Sequence, residues 1–120
     1  MRLLFVCVGN TCRSQMAEAL ARHFGHEAAS AGTHPGISVA ANSLTVLEEM
    51  GVSTSGLRPK SVDDIETEGW DMIISMGCGV ECPMLPIAED WGLEDPVGLP
   101  IDVYRSTRDT IIENLQRLSA

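Results

Sequence analysis

The chain has 120 residues, an apolar fraction of 44% and a formal net charge of −9. That length and composition predict one domain over residues 1–120, with apolar content sufficient for a core without disulfide staples. The acidity argues against nucleic acid as a partner, and an anionic substrate would have to be captured locally rather than steered from a distance.

Residues 2–7 predict a buried strand built on Leu3-Leu4-Phe5-Val6. This run is too short for a signal peptide, and no small-residue cleavage site follows it. Nothing in the chain approaches the roughly 18 apolar residues of a membrane span. A cytoplasmic location with no membrane partner is therefore expected. In that reducing setting four cysteines suit catalysis, redox exchange or metal binding better than permanent disulfides.

The octet Cys7-Val8-Gly9-Asn10-Thr11-Cys12-Arg13-Ser14 follows the strand. An amphipathic stretch from Gln15 to Phe24 comes next, with Met16, Leu20 and Phe24 on one face. Strand, tight loop and helix in that order can aim successive backbone N–H groups at an anion over the helix N-terminus. Arg13 adds a planar fork suited to a tetrahedral oxyanion. Cys7 would lie beneath it as a nucleophile. Gly9 offers positive φ or close approach, Asn10 tolerates the left-handed region, and Ser14 is suited to cap the helix, with Glu18 on its first turn. Residues 7–14 thus form the expected binding site for phosphate or an analogue of it. The plain alternative is a buried structural cysteine in a strand–turn–helix.

Further on, Ala28 to Ala31 predicts a second strand and residues 32–36 a loop. Val39 to Met50 predicts a helix with Ala40, Leu44, Leu47 and Met50 on one face. Residues 61–64 open a short helix, and Asp71 to Met76 predicts another strand. Trp91 to Pro100 reads as irregular, with Trp91 anchoring the loop. Asp102 is expected to cap a last helix whose Val103, Ile111, Leu115 and Leu118 face inward. Alternating strands and helices imply an α/β fold, a small mainly parallel sheet flanked by helices on both faces. Ligands of such folds bind beyond the carboxyl ends of the strands, where the Cys7 loop lies.

Two further groups could carry chemistry. Cys78 and Cys82 follow the Asp71–Met76 strand, at the sheet end of Cys7. They read as thiols relaying oxidation outward from Cys7, as zinc ligands with Cys7 and Cys12, or as inert residues. Asp95, held extended before Pro96, reads as a general acid toward a leaving oxygen or as part of a solvated turn. His23, His26 and His34 show no partner pattern and read as surface residues.

The octet, Gln15-Met16-Ala17-Glu18, Ser30-Ala31-Gly32 and Asp95-Pro96 together resemble the low-molecular-weight protein tyrosine phosphatase superfamily over nearly the whole chain. Within it, Cys82-Pro83 and Trp91-Gly92-Leu93-Glu94-Asp95-Pro96 resemble the thioredoxin-coupled arsenate reductases. The resemblance implies that Cys7, Cys78 and Cys82 act in sequence. Cys7 would attack arsenate bound by Arg13, and Asp95 would protonate the departing oxygen. A disulfide would pass to Cys78–Cys82 for thioredoxin to reduce. No cofactor is implied, and a monomer is expected. Similar reductases can bind a potassium ion near the residues matching Asn10 and Glu18; none is expected here. The Cys78–Cys82 loop is shorter than in the best-known reductases. Val97 and Gly98 stand where phosphotyrosine-preferring relatives keep tyrosines, which counts against a dedicated tyrosine phosphatase. A phosphomonoester hydrolase using Cys7, Arg13 and Asp95 is the alternative.

Overall fold

The computed structural model describes residues 1–77 and 85–118. Four strands form one sheet: β1 (Arg2–Cys7), β2 (Glu27–Gly32), β3 (Met72–Ser75) and β4 (Glu89–Asp90), in the order β2-β1-β3-β4. All three pairings are parallel. β1 is central because its Leu3, Leu4, Phe5 and Val6 are fully buried and can face core on both sides. The α/β reading is borne out. β4 has only two residues, both acidic, and carries no apolar alternation by which a sequence could announce it.

The alternation of β1 divides the core. Leu3 and Phe5 pack in the larger cluster with Met16, Leu20, Val46, Leu47, Ile111 and Leu115. These come from α1 (Arg13–His23), α2 (Ala41–Glu48) and α3 (Ile101–Leu118). Leu4 and Val6 face the opposite way. There, among the described residues, the cover is Val62 of a single 3-10 turn (Val62–Asp64) and loop residues such as Ile65, Trp70 and Ile87. The expected helices on both faces are corrected to α-helices on the Leu3–Phe5 face alone, because the buried apolar positions of α1, α2 and α3 all enter that one cluster.

Three helix faces differ from the sequence reading. Met16 and Leu20 are fully buried, but Phe24 lies past the end of α1, 43% exposed, edge-on to His23. α2 buries Ser43, Val46 and Leu47 and leaves Met50 exposed. In α3 the inward residues are Tyr104, Thr107, Ile111 and Leu115; Val103 is half-buried. Asp102 stands inside the first turn, where it pairs with Arg105 at 2.7 Å. Each helix packs where its neighbours leave room, and a polar Ser43 or Thr107 next to apolar partners is invisible to hydrophobic periodicity.

Candidate active site

β1 delivers Cys7 to the carboxyl end of the sheet, and the chain turns back into α1 at Arg13. Between them Cys7, Val8, Gly9, Asn10, Thr11, Cys12 and Arg13, with Asp95 opposite, line a cavity of about 210 Å³. The tight turn uses Asn10, whose φ is 53°. Gly9 does not supply the positive φ, so that part of the sequence reading is corrected. Asn is the side chain that tolerates this region, because its short amide can bond locally.

Each carbonyl of the loop is held from outside or from the helix. Those of Cys7, Val8, Gly9 and Thr11 accept from the backbone N–H groups of Thr33, His34, Gly36 and Ala40, at 2.9–3.1 Å. That of Asn10 accepts from Gln15 Nε2 at 2.9 Å, and that of Cys12 from Met16 N at 2.9 Å. Peptide planes pinned by their oxygens present their N–H groups to the other side, which is the requirement for an anion cradle. Residues 32–36 are the loop expected from the sequence, but the pinning done by the strap from Gly32 to Ala40 is not legible there beyond the signal of two glycines. At Gly32 a Cβ would run into the Val8 carbonyl oxygen and come within 3.0 Å of Asn10 Cβ, and at Gly36 a Cβ would come within 2.7 Å of Thr11 Cγ2.

Around Cys7 the hydrogen bonds have a definite direction. Lys60 N–H and Gln15 Nε2 donate to Asn10 Oδ1 at 2.9 and 3.0 Å, which fixes the amide so that Nδ2 donates to Ser14 Oγ at 2.7 Å. Ser14 Oγ lies 2.9 Å from Cys7 Sγ. Having accepted from Asn10, its hydroxyl has its own proton to donate to the sulfur. Asn10 N–H donates to the same sulfur at 3.1 Å. Two hydrogen bonds therefore converge on the one sulfur. Ser14 is therefore not the helix cap that its position suggested: Cys12 occupies that place, without a side-chain cap bond. Glu18 sits on the second turn, where it bonds Ser30 Oγ at 2.8 Å.

Cys12, in the same loop, has a different environment. It is 3% exposed, and burial pushes its thiol above the usual cysteine range, with the Asp95 charge adding to the effect. The environment keeps Cys12 protonated.

Arg13 is 8% exposed. Its Nη1 donates to the carbonyls of Met76 at 2.7 Å and Leu93 at 2.9 Å. This leaves the Nε–Nη2 edge as the fork for an oxyanion. Nη2 lies 3.9 Å from Asp95 Oδ2. The Asp95 carboxyl is turned by its own Oδ1, which accepts from Val97 N at 3.1 Å, while Pro96 is buried beneath it. Trp91 anchors the same segment by packing on Phe5, with ring centroids 5.6 Å apart. Met76, two residues before Cys78 in the chain, thus touches Arg13 directly. Cys78 and Cys82 themselves lie outside the described residues. His23 and His34 are exposed and His26 half-buried, and none lines the cavity.

The sequence model of a family described as Low molecular weight phosphotyrosine protein phosphatase matches residues 2–120. A curated relative from Synechocystis, a glutaredoxin arsenate reductase, is 35% identical over 127 residues, covering 99% of this chain and 96% of its own. A solved arsenate reductase in its phosphate-binding state superposes with a TM-score of 0.88 at 34% identity, covering 98% of this chain and 95% of its own. The thioredoxin-dependent arsenate reductase of Corynebacterium glutamicum gives 0.75 at 34% identity, covering 99% of this chain and 63% of its own.

Proposed function

The chain belongs to the low molecular weight phosphotyrosine protein phosphatase family, and we propose that it acts within that family as an arsenate reductase whose electrons come from thioredoxin. The observation that carries the reading is the Cys7 sulfur at an oxyanion-sized cavity, held by Ser14 and Asn10, in a chain where two further cysteines follow β3. The kinship with reductases supports it.

In this reading the loop N–H groups from Val8 to Ser14 and the free edge of Arg13 hold arsenate. Cys7 attacks arsenic, and Asp95 protonates the oxygen that leaves as water. Cys78 then attacks Cys7 sulfur. The electron pair of the sulfur–arsenic bond passes to arsenic, arsenite departs, and a Cys7–Cys78 disulfide remains. Attack by Cys82 on Cys78 frees Cys7 and leaves a Cys78–Cys82 disulfide, which thioredoxin reduces. The two electrons come from the cysteines themselves, and Cys12, kept protonated, takes no part. A cytoplasmic monomer belongs to the same reading. No helix of the described residues is long and apolar enough to cross a membrane.

The alternative, phosphomonoester hydrolysis by Cys7, Arg13 and Asp95 alone, is favoured by the family's description. Arsenite formation, measured beside p-nitrophenyl phosphate hydrolysis, separates the two. Thioredoxin with its reductase and NADPH forms one arm, and glutaredoxin with glutathione the other. Cys78→Ser and Cys82→Ser should each stop repeated arsenate reduction and spare hydrolysis. Cys82→Ser should still complete one turnover and trap a Cys7–Cys78 disulfide, visible by peptide mass. Wild-type reduction rates in both variants would overturn the relay, and support from glutaredoxin alone would overturn the choice of donor.

A further inference from the structure

A buried ion cluster adjoins the anion loop and has no part in the chemistry above. Glu18, on the second turn of α1, has a side chain only 1% exposed. Its Oε1 accepts from Ser30 Oγ at 2.8 Å and from Lys60 Nζ at 3.3 Å, and its Oε2 pairs with Arg22 Nη1 at 3.0 Å. Lys60 is 12% exposed along its side chain, and its ammonium also donates to the Arg58 carbonyl at 3.0 Å. A carboxylate so deeply placed requires compensating charge, and here two cations supply it.

The main chain of Lys60 has a second task. Its N–H holds Asn10 Oδ1 at 2.9 Å, and its carbonyl accepts from Gly32 N at 2.8 Å. Residue 60 is therefore tied at three points: to the anion loop, to the end of β2 and to α1. A potassium ion near Asn10 and Glu18, as in similar reductases, does not fit these residues. Both oxygens of Glu18 already have a cationic partner, and a third cation would stand against Lys60 and Arg22.

We propose that Lys60 is a positioning residue whose ammonium is the resident cation of this site. By neutralising Glu18 it holds the backbone at residue 60, whose N–H fixes the Asn10 amide together with Gln15 Nε2 (3.0 Å from the same Oδ1) and so turns the Ser14 hydroxyl onto Cys7. The chain accordingly needs no added monovalent cation. The inference rests on Cys7 being the nucleophile.

Alkylation of Cys7 by iodoacetamide, followed by mass of the Cys7 peptide across pH, tests it on the full chain. It requires neither arsenate nor reductant, so a chain that passes here and fails to form arsenite separates this inference from the proposed activity. Wild type should give the same profile in potassium chloride and in choline chloride of equal ionic strength. In choline, Lys60→Ala should react roughly tenfold more slowly near neutral pH, with its profile moved to higher pH, as for a weakened bond to a charged group. Potassium should restore most of that rate by entering the vacated place. In a Ser14→Ala background the same substitution should change the rate less than about twofold, because the effect travels through Ser14. Lys60→Met keeps the packed stem and is read instead if Lys60→Ala does not fold. A potassium requirement in wild type, a Lys60→Ala rate equal to wild type in choline, a loss untouched by potassium, or an undiminished effect without Ser14 would each overturn the proposal.

Discussion

From Cys7 to Ser14, five of the eight residues are buried, and the carbonyls of residues 7–12 each have a donor. From Trp91 to Pro100, only Pro96 is buried, and the Asp95 side chain is 55% exposed. The loop is one wall of a cavity, and Asp95 of the second segment stands as the other. Under the proposed function the contrast follows from what each would do. An anion cradle works by having its dipoles in place before the ligand arrives, so its backbone is held by partners on all sides. A general acid must exchange its proton with solvent between turnovers, so an exposed carboxyl on a short anchored arm serves it. Arg13 joins the walls: one nitrogen holds the carbonyls of Met76 and Leu93, and the other edge faces the cavity.

The substitution with the largest expected effect removes the sulfur itself. Cys7→Ser should show no measurable turnover with arsenate or aryl phosphate, since a serine hydroxyl is scarcely ionised near neutral pH. Calorimetry should still detect phosphate binding, because the cradle remains. Turnover by pure Cys7→Ser would remove Cys7 from the mechanism.

Arg13→Lys strikes both walls. An ammonium supplies no bidentate fork, and it cannot also hold two carbonyls while facing the cavity. Catalytic efficiency should fall on the order of 10²-fold or more, and hydrogen exchange at residues 93–95 should quicken. A kinetic loss with unchanged exchange would show that the arm stands without Arg13.

Asp95→Asn touches one wall only. Hydrolysis of phenyl phosphate, whose leaving group needs a proton, should drop about 10²-fold. Hydrolysis of p-nitrophenyl phosphate should drop less. Equal losses on both substrates would assign Asp95 to binding rather than proton transfer.

The smallest effect is expected at Cys12. Burial raises its pKa, so at pH 8 it should alkylate far more slowly than Cys7 in the same loop. Cys12→Ser should leave turnover within about threefold of wild type and cost about 1 kcal/mol of stability on chemical denaturation, from a buried hydroxyl. Equal labelling of the two cysteines would remove the distinction drawn between their environments.

Much of the site is local and therefore legible. Cys7, Asn10 and Arg13 stand within seven residues, and the strand before them and the helix after them are marked by apolar spacing. What misled the reading was also local. Gly9 looked like the turn residue because it has no side chain, yet Asn10 takes the positive φ because its amide is needed between Lys60 and Ser14. Ser14 looked like a cap because serine caps helices, yet its hydroxyl is turned to the sulfur. In each case a specific hydrogen-bond partner outweighed a propensity of a few tenths of a kcal/mol to about one.

By itself the sequence determined the strand–loop–helix order and the α/β class, and it marked Cys7, Arg13 and Asp95, which the structure brings to one cavity. Those depend on neighbours within a few positions along the chain. Only the tertiary structure decided which groups hold the loop open: the strap from Gly32 to Ala40, the Lys60–Glu18 pair, and the Met76 and Leu93 carbonyls on Arg13. These contacts span up to 80 residues of chain. They are mostly bonds to backbone atoms, which every residue possesses, so no side-chain pattern could have marked them.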